Sequence, residues 1–293
     1  MIRFFRLTLI VVASAVSILL SANNLFAGEK TKVSYRPELG SNSPKLDIYS
    51  FNGAKNAPVL IYVHGGAWKW GHRLHVYQKP FHFIKSGFIF VSIDYRLVPS
   101  VRVEDQLSDI DHALGWVAAN IGEFGGDGRN LHLMGHSAGA HLVSMTGVRP
   151  GKIASRLVNA RELSTIISND TMAYDLPGLA MMRVGALKRV GALPEIYRDV
   201  FWQDKKRWRR LSPYRQIDSQ RVLPAFLLLY SGGRNSLLRR WTTESFKDRL
   251  KLVDANVFMF DGSKYSHRQM TILIGVDDRL TKAIDRFLAQ YSK

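Results

Sequence analysis

The sequence predicts an α/β fold: a mostly parallel sheet of eight strands, helices on both faces, and a small cap insertion at about residues 170–210. Three observations carry this. Short apolar runs alternate with stretches of helical period along most of the chain, the pattern of strands joined by crossover helices. The runs at 59–63, 88–93 and 225–230 are almost continuously apolar, as strands covered on both faces must be. Leu131-His-Leu-Met134 passes through a five-residue turn directly into a helix-like stretch beginning at Ala140, a strand–turn–helix unit.

Taken in order, Thr31–Tyr35 and Leu46–Phe51 read as an antiparallel strand pair, with a turn at Asn42, Ser43 and Pro44. Val59–Val63 is the first buried strand, Tyr77–Lys85 a helix, and Phe88–Ile93 the next buried strand. Val103–Ile121 has the apolar spacing of a long helix closed by the glycine-rich segment Gly122–Gly128. After Leu131–Met134 and its helix come a strand at Ser164–Ser168, a strong strand at Ala225–Tyr230, a helix at Glu244–Leu252, a strand at Asn256–Phe260, and a closing helix at Asp277–Gln290. Asp170–Trp208 breaks the rhythm, being rich in Met, Trp and Arg and poor in strand signal, and reads as a cap over the sheet. Within it Arg183-Val-Gly-Ala-Leu187 recurs at Arg189–Leu193, a local duplication too short to build a repeat array.

The turn after Met134 is Gly135-His-Ser-Ala-Gly139. A serine hydroxyl that attacks a carbonyl must stand clear of the backbone on a sharp turn, and flanking glycines leave room for that geometry. Directly after the first buried strand comes His64-Gly-Gly-Ala-Trp68, a loop whose glycines let amides approach and stabilise an oxyanion. Together the two motifs point to nucleophilic serine chemistry through an acyl-enzyme.

These motifs, with Ser92-Ile-Asp-Tyr-Arg-Leu-Val-Pro99 and Leu211-Ser-Pro-Tyr214, resemble the α/β-hydrolase superfamily over most of residues 45–290. Within it the chain is similar to the carboxylesterase branch: hormone-sensitive-lipase-like esterases, bacterial feruloyl esterases and kynurenine formamidases. The resemblance implies Ser137 as nucleophile, the amides of Gly65, Gly66 and Ala138 as oxyanion donors, and a histidine after the last strand as base. His267 occupies that slot. The resemblance also implies that Asp94 and Arg96 pair structurally behind the site.

The same resemblance places an acid after the seventh strand, where this chain has Ser231-Gly-Gly-Arg-Asn235. Asn235 therefore stands at the acid position. An amide can accept from an imidazole N–H, yet it brings no charge to stabilise an imidazolium. Three readings stay open: Asn235 as a weaker third member; a carboxylate from elsewhere, with Asp170, Asp175 and Asp261 as candidates; or a fold retained for binding without turnover. Helix capping offers a structural role for Asp175. Carboxylic ester hydrolysis on a small or medium substrate is the leading expectation, with arylformamidase-like amide hydrolysis or a non-catalytic exported binding protein as its rivals. Trp68, Met172, Met181, Met182, Trp202 and Trp208 are candidates to shape the substrate pocket.

The 293-residue chain is long enough for one large core, so residues 28–293 are expected to form a single domain. Residues 1–27 follow the basic, apolar and small-residue order of a secretory signal peptide, ending at Ala27; the alternative is an uncleaved membrane anchor. Export to the periplasm or the medium is the resulting expectation. There is no cysteine, which excludes a thiol nucleophile and thiolate metal sites. No metal or organic cofactor is required: in the loose cluster His72, His75 and His82, His72 and His75 lack partner carboxylates at ligand spacing. The formal charge of +17, with the run Lys205-Lys-Arg-Trp-Arg-Arg210, suits a solvated face or weak attraction to an anionic membrane or cell-wall polymer. No nucleic-acid motif accompanies it.

Overall fold

The computed structural model describes residues 29–182, 193–233 and 235–292. The expected amino-terminal export signal, and nearly all of the Arg183–Leu193 duplication, lie outside the described residues. Eight strands form one sheet: β1 (Glu29–Ser34), β2 (Lys45–Ser50), β3 (Ala57–Val63), β4 (Ile89–Ile93), β5 (Gly126–His136), β6 (Leu163–Asn169), β7 (Ala225–Ser231) and β8 (Val257–Gly262). Their order across the sheet is β1-β2-β4-β3-β5-β6-β7-β8. β1 pairs antiparallel with β2, and β2 antiparallel with β4; every other pairing is parallel.

Side chains alternate across this sheet and divide the core in two. Val59, Ile61 and Val63 of β3 enter one apolar cluster, whereas Leu60 and Tyr62 enter the other. α1 (Lys79–Lys85) covers the second face with Phe83, helped by Ile284 and Phe287 of the closing helix at Asp278–Tyr291. α2 (Val103–Asn120) and α3 (Ala138–Val148) cover the first face with Ile110, Leu114, Val117, Leu142 and Val143. Each such fully buried aliphatic or aromatic side chain contributes about 1.5–3 kcal/mol.

Two differences from the sequence reading have clear physical causes. α4 (Lys152–Asn159) has no side-chain cap of its own; the amides of its second and third residues, Ile153 and Ala154, donate to the Asp111 carboxylate on α2 at 3.2 and 2.8 Å. The cap is tertiary, so no local pattern announces it. The helix expected at Glu244–Leu252 instead begins at Ser236. Leu237 and Trp241 in its first turns are exposed, so the apolar stripe that marks a helix in sequence is blurred there.

The described part of the cap contains α5 (Leu176–Met181), α6 (Glu195–Phe201) and α7 (Lys205–Arg210), followed by the single turn α8 (Pro213–Gln216). α6 places Phe201 and Tyr197 against the Trp68 ring, with centroids 4.8 and 5.4 Å away, and so seats the cap over the loop after β3. The basic run of α7 is not uniformly solvated. Arg207 is buried, donating to both oxygens of Glu104 at 3.0 and 2.8 Å and to the Val200 carbonyl. Lys205, Lys206, Arg209 and Arg210 are exposed. α9 (Ser236–Lys251), α10 (Gln269–Ile272) and α11 (Asp278–Tyr291) complete the described chain.

Candidate active site

Parallel strands bring their carboxyl ends to one edge of the sheet, and loops leaving that edge meet there. Ser137 follows β5, Asp170 follows β6, and His267 lies in the loop between β8 and α10. Ser137 has φ 57° and ψ −116°, a conformation that costs a non-glycine residue about 1–3 kcal/mol. The surroundings enforce it: the Ser137 amide donates to the Asn169 carbonyl at 2.9 Å, and the Ser137 carbonyl accepts from the His141 amide. A Cβ at Gly135 would lie 2.3 Å from the Gly139 carbonyl oxygen, and one at Gly139 would lie 2.2 Å from that of Val63. Both motif glycines are therefore demanded by close backbone approach.

The Ser137 Oγ lies 3.0 Å from His267 Nε2. On the other side of the ring, His267 Nδ1–H donates to Asp170 Oδ2 at 2.6 Å. That bond leaves Nε2 unprotonated and facing the hydroxyl, the tautomer a general base needs. Asp170 is buried; its other oxygen accepts from the Ser231 amide at 2.9 Å and from Arg239 Nη1 at 3.0 Å. Burial by itself pushes the Asp170 carboxyl upward, but the His267 hydrogen bond, the Arg239 charge and the Ser231 bond outweigh it and bring the pKa down to about 2. The carboxylate is anionic throughout the physiological range. Arg239 Nη1 is also 3.3 Å from His267 Nδ1, a contact between two N–H groups rather than a second hydrogen bond.

Asn235 is not the third member. It is exposed at the start of α9, and among the described residues its side chain makes no hydrogen bond to His267. The position is filled one strand earlier, by Asp170. Asp175 stands at the N-cap of α5 but does not cap it, because both its oxygens accept from Arg215 at 2.9 and 2.8 Å. Asp261, exposed near the end of β8, accepts from the Ser263 amide. With a buried carboxylate on His267, the motive for a non-catalytic reading, a missing acid, is removed.

The loop after β3 lies against the elbow. Gly66 has φ 133°, and a Cβ there would fall 2.0 Å from the Trp70 carbonyl oxygen. Among the described residues the Gly65 and Gly66 amides enter no hydrogen bond, and Ala138 supplies the first amide of α3, which has no intrahelical acceptor. Gly65, Gly66 and Ser137 line one cleft of about 460 Å³ together with Tyr62, Trp70, Tyr77, Ile196, His267 and Arg268. That pocket is not shaped by the six side chains expected from sequence. Trp68 and Trp208 are buried in the core, and Met181 and Trp202 are exposed; Met172 and Met182 do not line the cleft either. Trp68 instead donates through Nε1 to His141 Nδ1 at 3.2 Å, while His141 Nε2–H donates to the Leu211 carbonyl at 2.8 Å. This chain of bonds ties the oxyanion loop to α3 and the cap, and burial holds His141 neutral, its pKa lowered to about 4.

Asp94 and Arg96 do not pair with each other. Asp94 accepts from Arg73 at 2.6 Å, and Arg96 embraces Asp109 with contacts of 2.8–3.1 Å. His136, the residue before the nucleophile, belongs to the site. It is buried, its Nε2–H donates to the His267 carbonyl at 3.0 Å, and the two rings lie 4.6 Å apart. Burial, reinforced by His267, lowers its pKa to about 3, so it is neutral. His136, Asp170 and His267 bring ligand atoms within 4.8 Å of one another. Asp170 and His267 are joined to each other and to Ser137, Ser231 and Arg239 by the hydrogen bonds just described, the geometry of a relay.

A strained serine between strand and helix, a histidine base and a buried carboxylate define a nucleophilic serine site on an α/β sheet. Similarity to known proteins agrees. The BD-FAE family model matches residues 46–172. Esterase LipC of Mycobacterium tuberculosis is 30% identical over 213 residues, covering 68% of this chain and 49% of that protein. A probable isoprenylcysteine alpha-carbonyl methylesterase of Arabidopsis thaliana is 26% identical over 237 residues, covering 76% of this chain and 54% of its own. The chain thus spans about half the length of these curated relatives. Among solved structures, esterase 2 of Thermogutta terrifontis phosphonylated by sarin superposes with a TM-score of 0.69 at 20% identity, covering 91% of this chain and 95% of that one. The chain belongs to the α/β-hydrolase superfamily, in its carboxylesterase branch.

Proposed function

We propose that this protein is a serine carboxylesterase that hydrolyses small or medium esters through an acyl-enzyme. The observation that carries the reading is the continuous relay from Ser137 Oγ to His267 Nε2, at 3.0 Å, and from His267 Nδ1 to Asp170 at 2.6 Å. In the first half-reaction His267 takes the Ser137 proton as Oγ bonds to the ester carbonyl carbon. The carbonyl oxygen becomes an oxyanion facing the amides of Gly65, Gly66 and Ala138, and the imidazolium is stabilised by the Asp170 carboxylate. Collapse of this intermediate breaks the ester C–O bond, and His267 returns its proton to the leaving alcohol. A water, deprotonated by the same imidazole, then repeats the sequence on the acyl-enzyme and releases the acid.

The cleft volume supports compact substrates, and its aromatic wall of Tyr62, Trp70 and Tyr77 supports an apolar acyl or alcohol group. Residues 1–27 support action outside the cytoplasm, and the charge of +17 supports weak association with an anionic membrane or cell-wall polymer. The test is labelling with a fluorophosphonate, followed by turnover of p-nitrophenyl esters of increasing chain length alongside N-formylkynurenine. The expected result is labelling at Ser137 that is absent in Ser137→Ala and greatly slowed in His267→Ala, with fastest turnover on short acyl chains. Folded protein that neither labels nor turns over any ester would refute the reading, and a preference for the formamide would reassign it to amide hydrolysis.

A further inference from the structure

We infer that His136, Asn169 and Lys79 form a three-point clamp on the His267 loop and the single turn α10 that follows it, and that these are positioning residues for the base. The inference rests on the serine-hydrolase reading and adds to it.

His267 does not sit on a regular element. It lies in the loop after β8, just ahead of the single turn α10, and its own side chain is 39% exposed. A base in such a loop needs its backbone held by something other than a strand ladder. Three side chains from three separate elements hold it, each by donating to a main-chain carbonyl. His136, the last residue of β5, donates from Nε2 to the carbonyl of His267 itself at 3.0 Å. Asn169, the last residue of β6, donates from Nδ2 to the Met270 carbonyl at 2.7 Å. Lys79, the first residue of α1, donates from Nζ to the Thr271 carbonyl at 2.6 Å, and to the Thr271 hydroxyl at 3.0 Å. Tyr62, from β3, adds a hydroxyl contact of 3.0 Å to that same Thr271 Oγ1.

The donors carry marks of a built support. All three are buried. Lys79 makes no ion pair with a carboxylate among the described residues; its ammonium is met by Thr271, by the Val76 carbonyl at 3.4 Å and by the faces of Tyr62 and Tyr77, with centroids 4.8 and 5.2 Å away. Burying a cation without a counterion is costly, and a merely apolar position would be served better by Met or Leu. Asn169 keeps its Oδ1 buried without a partner while Nδ2 reaches Met270. A carbonyl only accepts, so the amide group must face Met270, and that orientation leaves the oxygen stranded. His136 and Asn169 are each followed directly by a member of the relay, Ser137 and Asp170. The clamp therefore references the His267 loop to the same two strand ends that place its partners, and a lost donor shifts the imidazole relative to both.

The test compares Lys79→Met, Asn169→Leu, His136→Phe and His136→Gln with wild type, measuring kcat and KM on a p-nitrophenyl ester, the rate of fluorophosphonate labelling at Ser137, and hydrogen exchange of the 267–272 amides. Misplacement of a base by about 1 Å costs up to about 100-fold. Lys79→Met, Asn169→Leu and His136→Phe are expected to lower kcat and the labelling rate by about 10–100-fold with KM nearly unchanged, and to speed exchange in 267–272 while strands β3 and β5 keep their protection. His136→Gln, whose amide reaches the same carbonyl, is expected to recover most of the loss. If folded Lys79→Met and His136→Phe both keep kcat and labelling within about twofold of wild type, the clamp is overturned and the esterase reading stands. Wild-type protein that labels but turns over no ester fails the esterase reading alone, since labelling rates still judge the clamp; wild-type protein that does not label ends both.

Discussion

Arg239 donates to Asp170 Oδ1 at 3.0 Å while His267 donates to Oδ2, linking the helix after β7 to the carboxylate after β6. The connection expected to carry the acid instead carries, a few residues on, the cation that steadies an acid placed one strand earlier. Asn235 can then lie exposed, and the charge at the site is preserved by relocation.

Moving the acid makes a sharp mutational contrast. Asp170→Asn leaves the shape nearly intact but removes the anion and admits the wrong imidazole tautomer, and kcat is expected to fall by about 10³–10⁴-fold, the scale of the equivalent change in serine proteases. Asn235→Asp, at an exposed site, is expected to change kcat by less than about threefold. Steady-state kinetics on one ester with both variants checks the pair.

Removing the steadying cation should show in both rate and stability. Arg239→Leu leaves Asp170 with His267 and Ser231 as partners, and the lost charge-assisted bond is expected to cost about 1–3 kcal/mol in urea unfolding. The same change raises the Asp170 pKa and loosens the carboxylate that orients the imidazole, so kcat is expected to fall and the acid-side loss of stability to begin at a higher pH than in wild type. Steady-state kinetics and urea midpoints across the acid range read the two effects.

Asp170 also sets an acid limit on stability. Its folded pKa of about 2 lies below the ordinary carboxylate value of 3.8, so the folded state binds the proton less readily. The resulting stabilisation, about 2 kcal/mol, is fully present above about pH 4–5 and is lost as pH falls through about 2. Urea midpoints of wild type and Asp170→Asn are expected to converge across that interval.

Lys79 has a linkage of the same sign at higher pH. Burial pulls its pKa down to about 7 from 10.5, so between those values the unfolded chain holds a proton that the folded protein has released. Wild-type stability relative to Lys79→Met is therefore expected to rise as pH increases from about 7 towards about 10, and to be lowest at and below neutrality. Urea denaturation at about pH 6.5, 8 and 9.5 measures it; parallel curves for the two proteins would contradict the burial of a titrating ammonium.

Much of this molecule was legible before folding. Alternation of apolar runs and helical periods specifies the layered sheet, since a strand buried on both faces must be apolar at every position and a helix on one stripe only. Gly135, Ser137 and Gly139 announce the elbow because close backbone approach admits no other residues at the glycine positions, and Gly65 and Gly66 mark the loop that meets it. Those constraints are local, and local constraints write themselves into consecutive residues. Asp170 over Asn235, the cap of α4 by Asp111, the separate partners of Asp94 and Arg96, and the support of His267 by His136, Asn169 and Lys79 are different in kind. Each depends on which side chain arrives within about 3 Å of an unsatisfied group after the chain has closed, and hydrogen-bond energy falls off too steeply with distance for sequence spacing alone to decide between an acid on one strand end and its neighbour on the next.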